Sequence, residues 1–113
     1  MVKRGLPARD EEMEQLTALL RLLSDKTRLH ILMMLSDGER NVTKLCEALK
    51  LPQPTVSHHL GLLRMSNVII GRRDGKQVFY GLDGKVTVNQ ECLEINAGAF
   101  SVCIGQGTPI GQI

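Results

Sequence analysis

The stretch from residue 51 to residue 82, LPQPTVSHHLGLLRMSNVIIGRRDGKQVFYGL, constrains the fold more than any other part of the chain. Pro54 fits only the first turn of a helix, because proline has no N–H to donate and its φ is already helical. From there Val56, His59, Leu60 and Leu63 stand at i, i+3, i+4 and i+7, one stripe of a helix. Thr55, Ser57 and His58 fall off that stripe at the N-terminal end, with short or polar side chains able to meet base edges and phosphates. The pattern then changes to a period of two. Val68, Ile69 and Ile70 form an apolar β-branched run, and Val78, Tyr80 and Leu82 alternate. Between them, Arg73-Asp74-Gly75-Lys76 predicts a two-residue type I′ turn on Asp-Gly, with Arg73 facing Lys76. Like charges facing across a hairpin destabilise it, by up to about 1 kcal/mol. For the hairpin alone, a solvated basic turn is the simpler account. With a polar-tipped helix just upstream, relief of the repulsion by phosphates becomes the better one.

The preceding residues read as three helices. Asp10, Glu11, Glu12 and Glu14 suit the first turns of a helix dipole, and Met13, Leu16, Leu20 and Leu23 give it an apolar stripe widened by Leu19. Ser24-Asp25 caps a second helix to about Ser36, apolar nearly all round and therefore central. His30 within it reads as structural rather than ligating. Asp37-Gly38 ends it. Asn41 caps a short helix whose Val42, Leu45, Cys46 and Leu49 share one face, which makes Cys46 most simply a small core residue. Two short amphipathic helices joined by Lys50-Leu51-Pro52 make a helix-turn-helix, and the hairpin makes it winged. The fold class predicted is mainly α with a small β part (α+β). Residues 1–9 read as a flexible arm, 10–85 as the winged helix-turn-helix domain, and 86–113 as a C-terminal segment with a loose end.

Charge is distributed to match. The whole chain carries only +2, but residues 55–82 carry a net +3 through Arg64, Arg72, Arg73 and Lys76 against Asp74. Residues 86–113 carry −2 and contain no Lys or Arg. No apolar run approaches a membrane span, no signal-peptide pattern opens the chain, and three widely spaced cysteines suit a reducing compartment. The expected location is the cytoplasm. No phosphate loop, Cys-x-x-Cys, H-E-x-x-H or paired-carboxylate pattern is present, so neither enzyme chemistry nor a cofactor is expected. His58 and His59 point about 100° apart on a helix and cannot easily share one ion. Gly61 costs about 1 kcal/mol in mid-helix, and close approach to DNA or to a neighbouring helix would explain it.

Several ordered motifs over residues 12–82 resemble the ArsR/SmtB-type bacterial transcriptional repressors. Ser24-Asp25-Lys26-Thr27-Arg28-Leu29-His30-Ile31-Leu32 is similar to their D-P-T-R-L-x-I-L signature. Leu45 to Leu49, Gln53 to Leu60 and Leu62-Leu63-Arg64 resemble their helix-turn-helix, and Arg72 to Lys76 with Val78-Phe79-Tyr80 and Leu82 resemble their wing. The resemblance implies a homodimeric repressor that binds double-stranded DNA at an inverted-repeat operator, usually released by a metal ion or a thiol oxidant. On the helix and wing read above, base contacts are expected from Gln53, Thr55, Ser57 and His58, and phosphate contacts from Arg64, Arg72, Arg73 and Lys76. The main alternative is a winged-helix module that binds only protein, which would show exposed apolar residues at the wing in place of clustered cations.

Three departures set this chain apart. Asn41 and Thr43 occupy the positions where metal-sensing members carry Cys-x-Cys, so no metal site is expected there. Residues 86–113 contain no His and no Asp, which removes the other common ligand set. Cys92 and Cys103 remain as candidates for thiol sensing. The third departure is one of shape. Leu93 and Ile95 alternate, Asn96-Ala97-Gly98 offers a turn, and Phe100, Val102 and Ile104 alternate again. This predicts a β-hairpin where the resembled family has a last helix. Its apolar face must be covered, by its own subunit or by a partner. The resemblance, in which both chain ends meet at the dimer, favours the partner.

Overall fold

The computed structural model describes residues 9–106. The arm before residue 9 and the loose end after residue 106 lie outside it. Four helices come first: α1 (Asp10–Leu23), α2 (Lys26–Leu35), α3 (Val42–Leu49) and α4 (Gln53–Met65). A short β1 (Arg40–Asn41) precedes α3. The remaining strands are β2 (Ile69–Asp74), β3 (Gln77–Leu82), β4 (Val86–Val88), β5 (Cys92–Ala97) and β6 (Phe100–Gly105). They form two antiparallel sheets of order β1-β3-β2 and β4-β5-β6.

Local chemistry fixes the helix ends. Glu12 accepts the Arg9 backbone N–H (2.9 Å), Asp25 accepts that of Arg28 (2.9 Å) and Asn41 accepts that of Lys44 (2.7 Å). Each satisfies a donor that a helix start leaves unpaired. Lys50 closes α3 in the left-handed conformation at φ 57, which turns the chain into α4. Pro54 sits within the first turn of α4 as its ring requires.

One core joins both sheets to the helices. Ile31, Leu32 and Leu35 of α2 pack with Leu45 of α3, with Val56, Leu60 and Leu63 of α4, and with Ile69. Leu93, Ile95 and Ala97 of β5 belong to the same core, together with Leu19 and Leu23 of α1. The predicted hairpin is present, and α1 of its own chain lies against β5 and β6. The partner subunit is therefore not needed to cover its apolar face, contrary to expectation. The reason is that α1 offers a stripe long enough to receive it. The turn falls on Gly98-Ala99, one step later than Asn96-Ala97-Gly98 suggests.

The wing register also differs from the sequence reading. Asp74 pairs with Gln77 and Arg73 with Val78, so the two loop residues are Gly75 and Lys76. Gly75 stands at φ +64 and Lys76 has no positive φ, the pattern of a type II′ turn rather than type I′. The facing of Arg73 with Lys76 is thereby removed. Two features select the observed register. Ile69 pairs with Leu82, both packed in or on the core, and Gly71 lies under the Tyr80 ring. A Cβ at Gly71 would stand 3.0 Å from Tyr80 Cε1, so any larger residue there would have to displace the tyrosine ring by a few tenths of an ångström.

Candidate nucleic-acid interface

The first turns of α4 leave Gln53, Thr55 and His58 exposed and Ser57 partly so. Val56, Leu60 and Leu63, on the other face, are buried. The 3.6-residue period alone produces this division. Gln53 Nε2 donates to Ser57 Oγ (3.0 Å), which ties two of the four predicted base-contacting residues together. Arg64, predicted to contact phosphate, is exposed in the last turn of the same helix.

The helix is held at a fixed angle by a polar clamp beneath it. Arg28 Nε donates to the Leu22 carbonyl (2.6 Å), and its Nη1 lies 3.1 Å from His59 Nδ1. A guanidinium only donates, so Nδ1 of His59 accepts and the imidazole proton sits on Nε2. Asp25 Oδ2 lies 3.7 Å from the same Nδ1. The Arg28 backbone N–H holds the Asp25 carboxyl below its ordinary value, and the Arg28 guanidinium charge acts in the same direction. The Asp-x-Thr-Arg segment thus caps α2 and fastens α4 to the end of α1. His59 is a positioning residue within that clamp, whereas His58 is exposed and free to meet a partner. His30 is also exposed.

The wing divides its cations between two tasks. Arg72 donates to Glu39 through Nη2 (2.8 Å) and Nε (3.3 Å), its Nη1 lies 3.8 Å from Asp74, and its guanidinium stands 5.1 Å from the centre of the Phe79 ring. The Glu39 hydrogen bonds hold the Arg72 proton more tightly and push the Glu39 carboxyl down. Arg72 therefore braces the wing against the loop before β1. Arg73 and Lys76 are exposed and carry no salt bridge among the described residues. Nothing in the sequence links Glu39 to Arg72, since 33 residues separate them.

Between the wing loop and the start of α4 runs a cleft lined by Asn41, Thr43, Gln53, Lys76 and Gln77, with no acidic side chain on its wall. Thr43 and Gln77 are absent from the predicted site. Their signal was the polar start of α3 and the residue directly after the wing loop, and neither is visible without the register. Gly61 faces open space: a Cβ there meets nothing within 4 Å. Among the described residues, no neighbouring helix explains this glycine.

The cysteines lie elsewhere. Cys92 and Cys103 share the outer face of the β5–β6 hairpin, two residues apart in register. The neighbouring Cys92 thiol raises the Cys103 thiol pKa, with burial and the nearby Glu94 acting in the same direction. A thiol held protonated is a slower nucleophile. Cys46 is partly buried on the core face of α3. Among the described residues, no group of three or more His, Cys, Asp or Glu converges to hold a metal ion. No described helix is long and apolar enough to cross a membrane.

Comparison with known proteins agrees with this geometry. The profile of the family described as bacterial regulatory protein, arsR family, matches residues 25–70, the span from the α2 cap to the start of the wing. The HTH-type transcriptional regulator KmtR of Mycobacterium tuberculosis is 38% identical over 79 residues, covering 70% of this chain and 61% of that protein. The chain thus spans about three-fifths of that relative's length. The arsenical resistance operon repressor of Staphylococcus aureus is 34% identical over 92 residues, covering 71% of this chain and 88% of that one. Among solved structures, the homodimeric winged helix-turn-helix DNA-binding domain Mb0332 of Mycobacterium bovis superposes with a TM-score of 0.62 at 28% identity, covering 73% of this chain and 77% of that one. Asp25, Arg28 and His59 of the clamp and the helix-turn-helix lie within the span the family profile matches, and the chain belongs to the ArsR family of bacterial regulatory proteins.

Proposed function

We propose that this protein is a transcriptional repressor that binds double-stranded DNA as a homodimer, in the cytoplasm and without enzymatic activity. The observation that carries the reading is the acid-free cleft between α4 and the wing, lined by Gln53 from the helix and Lys76 from the wing loop. In this reading residues 10–85 are the DNA-binding unit. Gln53, Thr55, Ser57 and His58 read base edges in the major groove, Arg64, Arg73 and Lys76 hold phosphates, and Arg72 keeps the wing in place for them. Thr43 and Gln77 join the interface from the cleft. The family membership and the homodimeric state of Mb0332 support the same assembly.

Two α4 helices related by a dyad would enter successive major grooves about 34–36 Å apart, so the operator should be an inverted repeat. A protein-binding module is the lesser reading. Ile70 and Met65 are exposed at the wing's base, but residues 71–77 at its tip are polar, charged or glycine. Selection of bound sequences from random duplex DNA tests the proposal. The expected result is enrichment of an inverted repeat with half-sites one helical turn apart. Equal recovery of all sequences would contradict it.

A further inference from the structure

We propose that the free edge of β6 is a docking surface for a second copy of this chain, which pairs with it antiparallel and joins the two C-terminal sheets into one. The inference rests on the homodimer reading above and names the surface that makes the dimer. It starts from how each sheet edge is protected. An exposed edge presents unpaired N–H and C=O groups, and proteins blunt such edges with charge, proline, bulges or shortness. In the wing sheet, β1 has only two residues, and the β2 edge carries Gly71, Arg72, Arg73 and Asp74. In the C-terminal sheet, β4 has only three residues. β6 is different: Phe-Ser-Val-Cys-Ile-Gly is six residues long, with no charge and no proline. Among the described residues it pairs with β5 alone.

The register says which groups are free. Cys92 and Asn96 turn their backbones away from β6, since the Cys92 carbonyl accepts from Asn89 and the Asn96 N–H donates to Lys85. Leu93, Ile95 and Ala97 therefore turn toward β6, to Ile104, Val102 and Phe100. The N–H and C=O groups left on the open edge belong to Ser101, Cys103 and Gly105. They are spaced evenly about Cys103. A two-fold axis through Cys103 would let each copy satisfy the other, Cys103 with Cys103 and Ser101 with Gly105, as an isologous contact requires. An unrelated strand could use the same edge, but only an identical one is matched to it about its own centre.

A second feature lies on the same side. Antiparallel extension of a sheet about such an axis keeps the inner faces of both sheets on one side, where each copy's α1 lies against β5 and β6. There α1 shows a second apolar stripe: Met13 is 40% and Leu20 46% exposed, two helical turns apart. One strand pair alone buries less than the roughly 1,200 Å² that stable interfaces need, and these helices supply further area.

The test is the mass of the full chain in solution by sedimentation, over a range of concentrations, for the parent and for two variants. In Cys103→Pro the proline stands where the N–H faces outward, a place an edge strand tolerates, so the intramolecular ladder persists while the edge is blocked. In Cys103→Lys an ammonium from each copy meets at the dyad and every backbone group is kept. The expected result is a dimeric parent whose dissociation constant rises about tenfold or more in both variants, with helix content unchanged. In the parent, amide hydrogen exchange at Ser101, Cys103 and Gly105 should be slow and should become fast on dilution to monomer. Both variants remaining as dimeric as the parent would overturn the edge assignment and leave the homodimer standing. A parent that is monomeric at all concentrations would overturn the homodimer itself. Slow exchange at those three amides in a monomer would mean that the chain's own residues cover the edge, and would also overturn the assignment.

Discussion

The wing and the C-terminal hairpin share one backbone design: two six-residue strands joined by a two-residue loop opening on a glycine, Gly75 at φ +64 and Gly98 at φ +63. Their side chains differ completely. In β2 only Ile69 is buried and the next five residues are exposed, three of them charged. In β5 burial alternates, with Leu93, Ile95 and Ala97 inward. The same turn and strand length thus produce a charged projection in one place and a core-closing sheet in the other. What decides is whether apolar residues recur with a period of two and have a helix to rest on. The first hairpin is free to meet a polyanion, and the second is committed to protein.

Truncating a core side chain should separate the two most strongly. Ile95, fully buried, should cost about 2–5 kcal/mol when replaced by Ala, through the transfer energy forfeited and the cavity left. Ile70→Ala in the wing, at a side chain 55% exposed, should stay within about 0.5 kcal/mol. Thermal unfolding of the two variants checks this, and equal destabilisation would break the contrast.

The loop glycines sharpen it at smaller scale. An L-residue in the left-handed region costs about 1–2 kcal/mol. Gly98→Ala should show that cost in global stability, because β5 and β6 close the core and the added Cβ also meets the Gln15 side chain. Gly75→Ala should cost less in global unfolding, since the wing tip can open locally. Its effect should appear as faster amide exchange confined to residues 71–80.

The smallest expected effect is acid sensitivity of the wing brace. Arg72 holds the Glu39 carboxyl below its ordinary 4.5 in the folded state. A carboxylate with a lowered folded value contributes stability that is fully present above about pH 4.5 and disappears as pH falls through the lowered value. Wing resonances near Arg72 and Phe79 should therefore shift on acidification below about pH 4.5, and Glu39→Gln should abolish that step. A shift that survives the substitution would mean another group anchors the wing.

Much of this is legible in the sequence because it is local. The Asp25 and Asn41 caps, the Val56–Leu60–Leu63 stripe and the alternation of Leu93 and Ile95 each depend on residues within a few positions, and the structure bears them out. The wing loop lies one residue from its expected place because Asp74-Gly75 and Gly75-Lys76 are both acceptable two-residue turns. Tyr80 packing over Gly71 chooses between them, and that packing is not local. Strands β1 and β4 have two and three residues, too few to show any period. In the candidate site, the exposed residues of α4 follow from helical geometry. The withdrawal of Arg72 into a pair with Glu39 does not, and neither does the entry of Thr43 and Gln77.

The division of labour between wing and helix is open to one decisive measurement, the salt dependence of DNA affinity for two sets of variants. Arg73→Ala with Lys76→Ala should weaken binding to operator and random duplex alike, and should lower the slope of log K against log salt by about 0.9 for each phosphate no longer neutralised. Thr55→Ala with His58→Ala should leave that slope unchanged and reduce the preference for operator over random DNA, by about 1–3 kcal/mol for each base pair no longer read. An unchanged salt slope after both wing cations are removed, or an undiminished preference after the helix residues are removed, would contradict the assignment of phosphate binding to the wing and base reading to α4.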